Sequence, residues 1–252
     1  MLKNIFLLLI IFPLSIKAAD QIVKARLQEF ALAYDALPAS QRNEYVIYKN
    51  KAYRARSSDK YFTALISISH AQEIFQNDLD LLFLKGYCLA QVHDVNGAIK
   101  NYEKVLKIDP SHMITLLNMV EINFHTGNHQ ESLKFIKRIN SLLDKQPIDL
   151  NLPLLDFKHL ICLTKLSEKR PLEFRAQIAK LKSKYTFMDD NPFYYYANAL
   201  VAFNTNNKEE RFQWVVKAYT IFQQPKLIKK WNKALIDAGY INAYEIMFHT
   251  QN

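Results

Sequence analysis

The chain has 252 residues, half of them hydrophobic and 23% charged, a balance that supports a folded core and excludes an intrinsically disordered protein. With 4 Gly and 8 Pro it lacks the glycine that strand-rich folds and phosphate-cradling loops consume at their turns, so helices joined by short polar turns are expected. The formal charge of +9 fits weak attraction to acidic polymers or anionic headgroups, and fits plain solubility equally well.

Met1–Ala19, "MLKNIFLLLIIFPLSIKAA", has the layout of a secretory signal peptide: Lys3 in the n-region, Ile5–Ile16 as the apolar stretch, and Ala18 and Ala19 at the cut. Cleavage after Ala18 leaves Ile16 three positions before the cut, and cleavage after Ala19 would put Lys17 there. No cysteine follows the apolar run, which argues against a lipid-anchored lipoprotein. The expectation is an exported chain, periplasmic or extracellular, with anchoring by an uncleaved signal as the alternative. No later segment approaches the ~20 apolar residues of a membrane-spanning helix. Cys88 and Cys162 are the only cysteines, and a disulfide and two buried free thiols both stay open.

Residues 20–44 are read as a capping helix and connector. Asp20–Leu37 is predicted to be one amphipathic helix, with Ile22, Leu27, Phe30 and Tyr34 on its apolar stripe. From Tyr45 to Gln146 the chain then keeps a period of 34 residues, in units 45–78, 79–112 and 113–146. Ala52, Gly86 and Val120 keep that spacing, as do Ala64, Ala98 and Ser132; Ile68, Tyr102 and Ile136; and Ala71, Val105 and Ile139. Each unit reads as two helices; in the second they are Leu81–Val92 and Asn96–Ile108. Small residues at Gly86 and Ala98 are expected to let the two helices approach, with Tyr102 filling a wider gap further along. Asp94 and Asn128 are predicted N-caps, Glu131 completing a capping box with Asn128. Pro110 cannot continue a helix and biases Asp109 away from helical geometry, so the second helix of that unit ends there.

After the period, "DLNLPLLDF" is a connector. Residues 147–190 are expected to hold a divergent helix pair, Leu154–Leu166 and Pro171–Tyr185, with Pro171 in a first turn. Residues 191–224 read as a divergent unit, with Ala197 and Ala199 on one helix, an Asn207–Glu210 capping box, and Trp214, Ala218 and Phe222 on the next. Residues 225–252 are expected to cap the end. Their helix Lys226–Ala238, closed by Gly239, has a basic face (Lys226, Lys229, Lys230, Lys233) that reads as a solvated cap or a binding patch.

Candidate chemistry is sparse. His125 and His129 are four apart, but the turn Thr126-Gly127-Asn128 separates them, and no carboxylate or cysteine cluster joins them as metal ligands. No nucleophile motif or phosphate loop is present. The pairs Asp189-Asp190 and Glu209-Glu210 sit at turns or helix starts, where the helix dipole explains them. Basic residues are not banded with aromatics as nucleic-acid binders require. No enzyme activity, metal, cofactor or nucleic-acid partner is expected.

The repeated units resemble the tetratricopeptide repeat family. The second unit carries the resemblance most fully, with Leu82, Gly86, Leu89, Ala98, Tyr102, Val105 and Pro110 at the signature positions. It departs at Lys85, where the family has an aliphatic residue, and the third unit has Asp144 in place of the terminal proline. The resemblance implies an all-α fold, a superhelical array of antiparallel helix pairs (a TPR-like α-solenoid) with capping helices. It also implies a non-catalytic protein–protein interaction scaffold, which the signal-like Met1–Ala19 would place in the cell envelope; the alternatives are a helical accessory domain of an envelope enzyme or assembly complex, or a purely structural subunit. By register, the concave lining would be Lys49, Tyr53 and Arg56, then Phe83, Leu84 and Tyr87, then Leu117, Asn118, Glu121 and Phe124. Some members clamp a peptide carboxylate there with lysines and asparagines. Here Lys49 matches that set, whereas Tyr53, Leu84 and Ile114 replace its polar members. The groove implied is aromatic and aliphatic, suited to a protein or peptide partner with an amphipathic or extended apolar segment. Open groove and intramolecular packing are equal readings of Tyr53, Phe83, Tyr87 and Phe124.

Overall fold

The structure is a computed structural model that describes residues 21, 23–144, 152–167, 171–205, 208–242 and 244–245; the signal-like segment lies outside them. The described residues are helical with no strand. A first helix, α1, spans residues 23–35. It is followed by α2 (Ala39–Ser57), α3 (Tyr61–Ile74), α4 (Leu79–Gln91), α5 (Val95–Ile108), α6 (Met113–His125) and α7 (His129–Leu143). Then come α8 (Leu152–Ser167), α9 (Pro171–Ser183), α10 (Phe193–Asn204), α11 (Lys208–Phe222) and α12 (Pro225–Asp237). The all-α helix-pair fold is the one expected, and α4 and α5 run within two residues of their predicted bounds. The chain divides into two compact units, residues 1–115 and 116–252. No described helix is long and apolar enough to cross a membrane.

The 34-residue period is visible in the backbone. Asp59, His93 and Gly127 stand 34 apart, and all have positive φ, at 55°, 64° and 75°. Each closes its helix with the same two hydrogen bonds. The residue itself donates to the carbonyl three back (Arg56, Ala90, Phe124), and the next N–H donates to the carbonyl five back (Ala55, Leu89, Asn123). This double bond over a left-handed residue is the Schellman stop, which satisfies carbonyls at the helix end and reverses the chain. Gly239, at φ 71°, ends α12 the same way through Ile236 and Leu235, as its position after the helix predicts.

The periodic small and large residues are buried, and two of the pairs meet across facing helices: Gly86 with Tyr102, and Val120 with Ser132, whose hydroxyl donates to the Val120 carbonyl at 3.2 Å. Ala52, Ala64, Ile68, Ala71, Ala98, Tyr102, Val105, Val120, Ser132, Ile136 and Ile139 are all essentially inaccessible, and Gly86 is buried with them. One expectation is corrected. Tyr102 does not fill a gap beyond Gly86; its ring lies on Gly86, and a Cβ there would meet the Tyr102 Cδ1 and Cε1 atoms at 2.7 Å. Glycine at 86 is the seat for the Tyr102 ring.

Capping follows chemistry more than register. Asp94 accepts from the Gly97 N–H at 2.9 Å, as expected. Asn128 makes no side-chain cap bond: its amide donates to Thr126 Oγ1 at 3.2 Å, and Glu131 takes the Lys134 ammonium at 2.5 Å, so this capping box does not form. A carboxylate only accepts and turns naturally to N–H groups, whereas an amide can donate elsewhere. The Asn207 half of the second expected box lies outside the described residues.

In residues 1–115, α2 pairs with α3 and α4 with α5, and α3 joins the pairs by packing on α4. Tyr34 of α1 seats edge-on against Tyr45 and Phe75, while Leu27 of the expected apolar stripe is exposed and Ile22 lies outside the described residues. In residues 116–252, α8 is central, packing on α7, α9 and α10, and its residues 155–163 are buried without a break. Its charged members are neutralised in place. Asp156 accepts from Lys184 and from the Tyr185 hydroxyl, and Lys158 pairs with Glu121. A buried charge is tolerated on those terms. Phe157, Tyr196 and Trp231 form the aromatic centre, with ring centroids 5.2–5.7 Å apart. Cys88 and Cys162 are buried free thiols, and burial pushes their pKa values up to about 11 and about 12.

Candidate partner-binding face

In residues 1–115 the candidate face is where α2 meets α4. Asp78 organises it. Its Oδ1 accepts from the Leu81 N–H at 3.0 Å and so caps α4. Its Oδ2 takes the Lys49 ammonium at 2.6 Å and the Tyr45 hydroxyl. Burial by itself raises the Asp78 pKa, but the bonds from Lys49, Tyr45 and the Leu81 N–H outweigh it and hold the carboxyl below its ordinary value. Burial likewise opposes the charge on Lys49, and Asp78 outweighs it, raising that pKa. Asp80 lies 3.4 Å from the Lys49 ammonium and, after burial, is the next cause of the raised pKa of Tyr53.

One turn further along α2 the exposed Arg56 guanidinium stacks 4.8 Å from the Tyr87 ring centre, an aromatic–cation contact that fixes both side chains. Tyr61 meets the same ring edge-on at 6.1 Å. Tyr53 stands between Lys49 and Arg56 in sequence and is 39% exposed. Phe83 is half-buried and turned to Tyr102 and His112, at 6.0 and 5.6 Å. Leu84 is buried in the core and Ile114 is exposed.

Residues 116–252 treat the equivalent positions differently. Leu117 and Asn118 are half-buried, and Glu121 is exposed with one carboxylate oxygen on Lys158. Phe124 is fully buried, between the Lys158 ammonium at 5.4 Å and the His129 ring at 5.6 Å. The reading of Phe124 as an accessible groove residue is therefore corrected: α8 covers it. α12 closes the same side, where His125 meets Asp237 at 3.0 Å. Leu117 and Glu121 border a 450 Å³ cleft with Lys158, Lys230 and Asp237. On the basic face of α12, Lys233 pairs with Asp237 at 2.6 Å, while Lys226, Lys229 and Lys230 are exposed.

Sequence reasoning missed Asp78 and Asp80, which decide the charge on the α2–α4 face, and Lys158, which pairs with Glu121 in residues 116–252. Asp78 had a readable signal, an aspartate immediately before a helix; Lys158, within an apolar run, had none. No group of three or more metal-ligating side chains occurs among the described residues.

No protein-family profile matches the sequence, and no curated protein matches it. A solved structure, the crystal structure of a tetratricopeptide repeat protein from Parabacteroides merdae ATCC 43184, is similar to this chain at a TM-score of 0.41 and 16% identity, over 87% of this chain and 99% of that one.

Proposed function

We propose that the chain is a non-catalytic protein-interaction scaffold, exported to the cell envelope, that holds an extended segment of a protein partner on the α2–α4 face. The observation that carries this reading is the exposed Tyr53 between two cations held in position, Lys49 by Asp78 and Arg56 by the Tyr87 ring. A preorganised aromatic with flanking cations takes an apolar side chain and a carboxylate from a peptide without ordering its own side chains on binding.

The test is site-specific photo-crosslinking from Tyr53 in envelope extracts, with Phe62, an exposed aromatic on α3, as the control position. A discrete adduct from position 53, lost on Arg56→Glu with Tyr87→Ala and absent from position 62, is expected. Equal adducts from both positions would refute the reading. Export rests on Met1–Ala19, and N-terminal sequencing of the protein recovered from cells should begin at Ala19 or Asp20.

A further inference from the structure

Lys85 occupies a position where the repeat pattern leads one to expect an aliphatic residue, and the structure gives it a place of its own. Two residues from both Phe83 and Tyr87, it points to the opposite side of α4, since two residues turn a helix by about 200°. It is half-buried, and its ammonium donates to Gln72 Oε1 at 2.8 Å. A groove of 610 Å³ opens here between α1, α3, α4 and α5. Lys104 and Lys107 share its wall with Lys85, and neither makes an ion pair among the described residues. The one acid on the wall, Glu73, lies 3.6 Å from His70. Arg26 of α1 adds a further cation, donating to the Lys107 carbonyl. The floor is apolar, from Leu82 and Ile108, and the rim carries the amides of Gln76 and Asn77.

We propose that this groove binds an acidic segment of a protein partner, with its carboxylates on Lys85, Lys104 and Lys107 and an apolar side chain on Leu82 and Ile108. Three lysines against one acid select an anion. The volume is that of a site for several connected groups. Side-chain amides both donate and accept, which matches a peptide backbone, whereas an inorganic anion uses donors alone. Burial and the neighbouring Lys104 ammonium both disfavour charge on Lys85. The free chain therefore keeps this lysine at a cost in stability that a bound carboxylate would relieve. The surface is separate from the α2–α4 face, so either assignment stands or falls without the other.

The experiment is fluorescence anisotropy of the full chain with a labelled decapeptide of Glu and Asp around a central Leu. Saturable binding that weakens with added salt is expected, since exposed charges are screened beyond about 10 Å at 0.1 M salt. Lys85→Leu should weaken binding by roughly fivefold or more while raising the melting temperature, and Lys104→Glu with Lys107→Glu should abolish binding. Opposite movements of affinity and stability separate a binding role from a structural one. Unchanged affinity in Lys85→Leu, or equal binding of a peptide with Lys in place of its acids, would overturn the proposal. Displacement by equimolar inorganic phosphate would overturn the peptide assignment in favour of a small-anion site.

Discussion

His93 adopts φ 64° because the turn from α4 to α5 needs a left-handed residue to place two N–H groups on the last carbonyls of the helix. A side chain pays for that conformation and glycine does not. His93→Gly is expected to stabilise the chain by about 0.5–1 kcal/mol, and Gly127→Ala to destabilise it by about 1 kcal/mol, both read by urea denaturation. Nothing lies within 4 Å of a Cβ placed on Gly127, so the second effect is conformational and not a clash. Gly86 is the contrasting case: Gly86→Ala should cost about 1–3 kcal/mol because the added methyl meets the Tyr102 ring, and Tyr102→Leu should recover part of that in the double variant. A small residue recurring every 34 positions was legible in the sequence. Which large residue lies on it was not, since the pattern records size and not rotamer.

At the scale of the element, α4 shows how a helix start becomes a junction. Asp78 caps α4 and also ties it to α2 through Lys49 and Tyr45. Asp78→Ala removes the cap and leaves a half-buried ammonium and a buried hydroxyl without their partner, so a loss of about 2–4 kcal/mol is expected. The folded chain keeps this carboxyl ionised at pH values where the unfolded chain protonates it. Its contribution is therefore present above the ordinary value of 3.8 and is lost as pH falls through the lower folded value. Denaturation from pH 5 to pH 2.5 should show wild type losing more stability than Asp78→Asn. The helix boundaries themselves were legible from apolar spacing, Asp94 and Pro110. The failure of Asn128 to cap was not, because an amide has a choice of partners that a carboxylate lacks.

On the scale of the whole molecule, the two compact units should differ in their response to acid. In residues 116–252, His159 is buried with neither ring nitrogen partnered, and burial pushes its pKa down to about 4. Asp156 on its own helix raises that value, while Lys137 of α7 and Lys184 after α9 lower it. Below the ordinary value of 6.5 the unfolded chain binds a proton that the folded chain refuses, so stability falls between pH 6.5 and about 4. The slope approaches about 1.4 kcal/mol per pH unit. Asp78 of residues 1–115 keeps its charge throughout that window. Hydrogen exchange at pH 7 and pH 4.5 should therefore show protection lost first in residues 116–252, and His159→Leu should flatten the difference. Equal loss in both units would refute this order.

The helical class, the 34-residue period and the burial of the periodic residues from Ala52 to Ile139 were written in the sequence, because small and apolar residues at a fixed spacing mark the faces that helices turn to one another. The fate of the surface those pairs present was not. Tyr53 and Phe124 come from corresponding faces of two units, yet one is open and the other is sealed beneath Lys158. Periodicity specifies which side of a helix turns away from its own partner. Whether a later helix such as α8 then covers that side depends on contacts between residues far apart in the chain, and only the folded chain decides it.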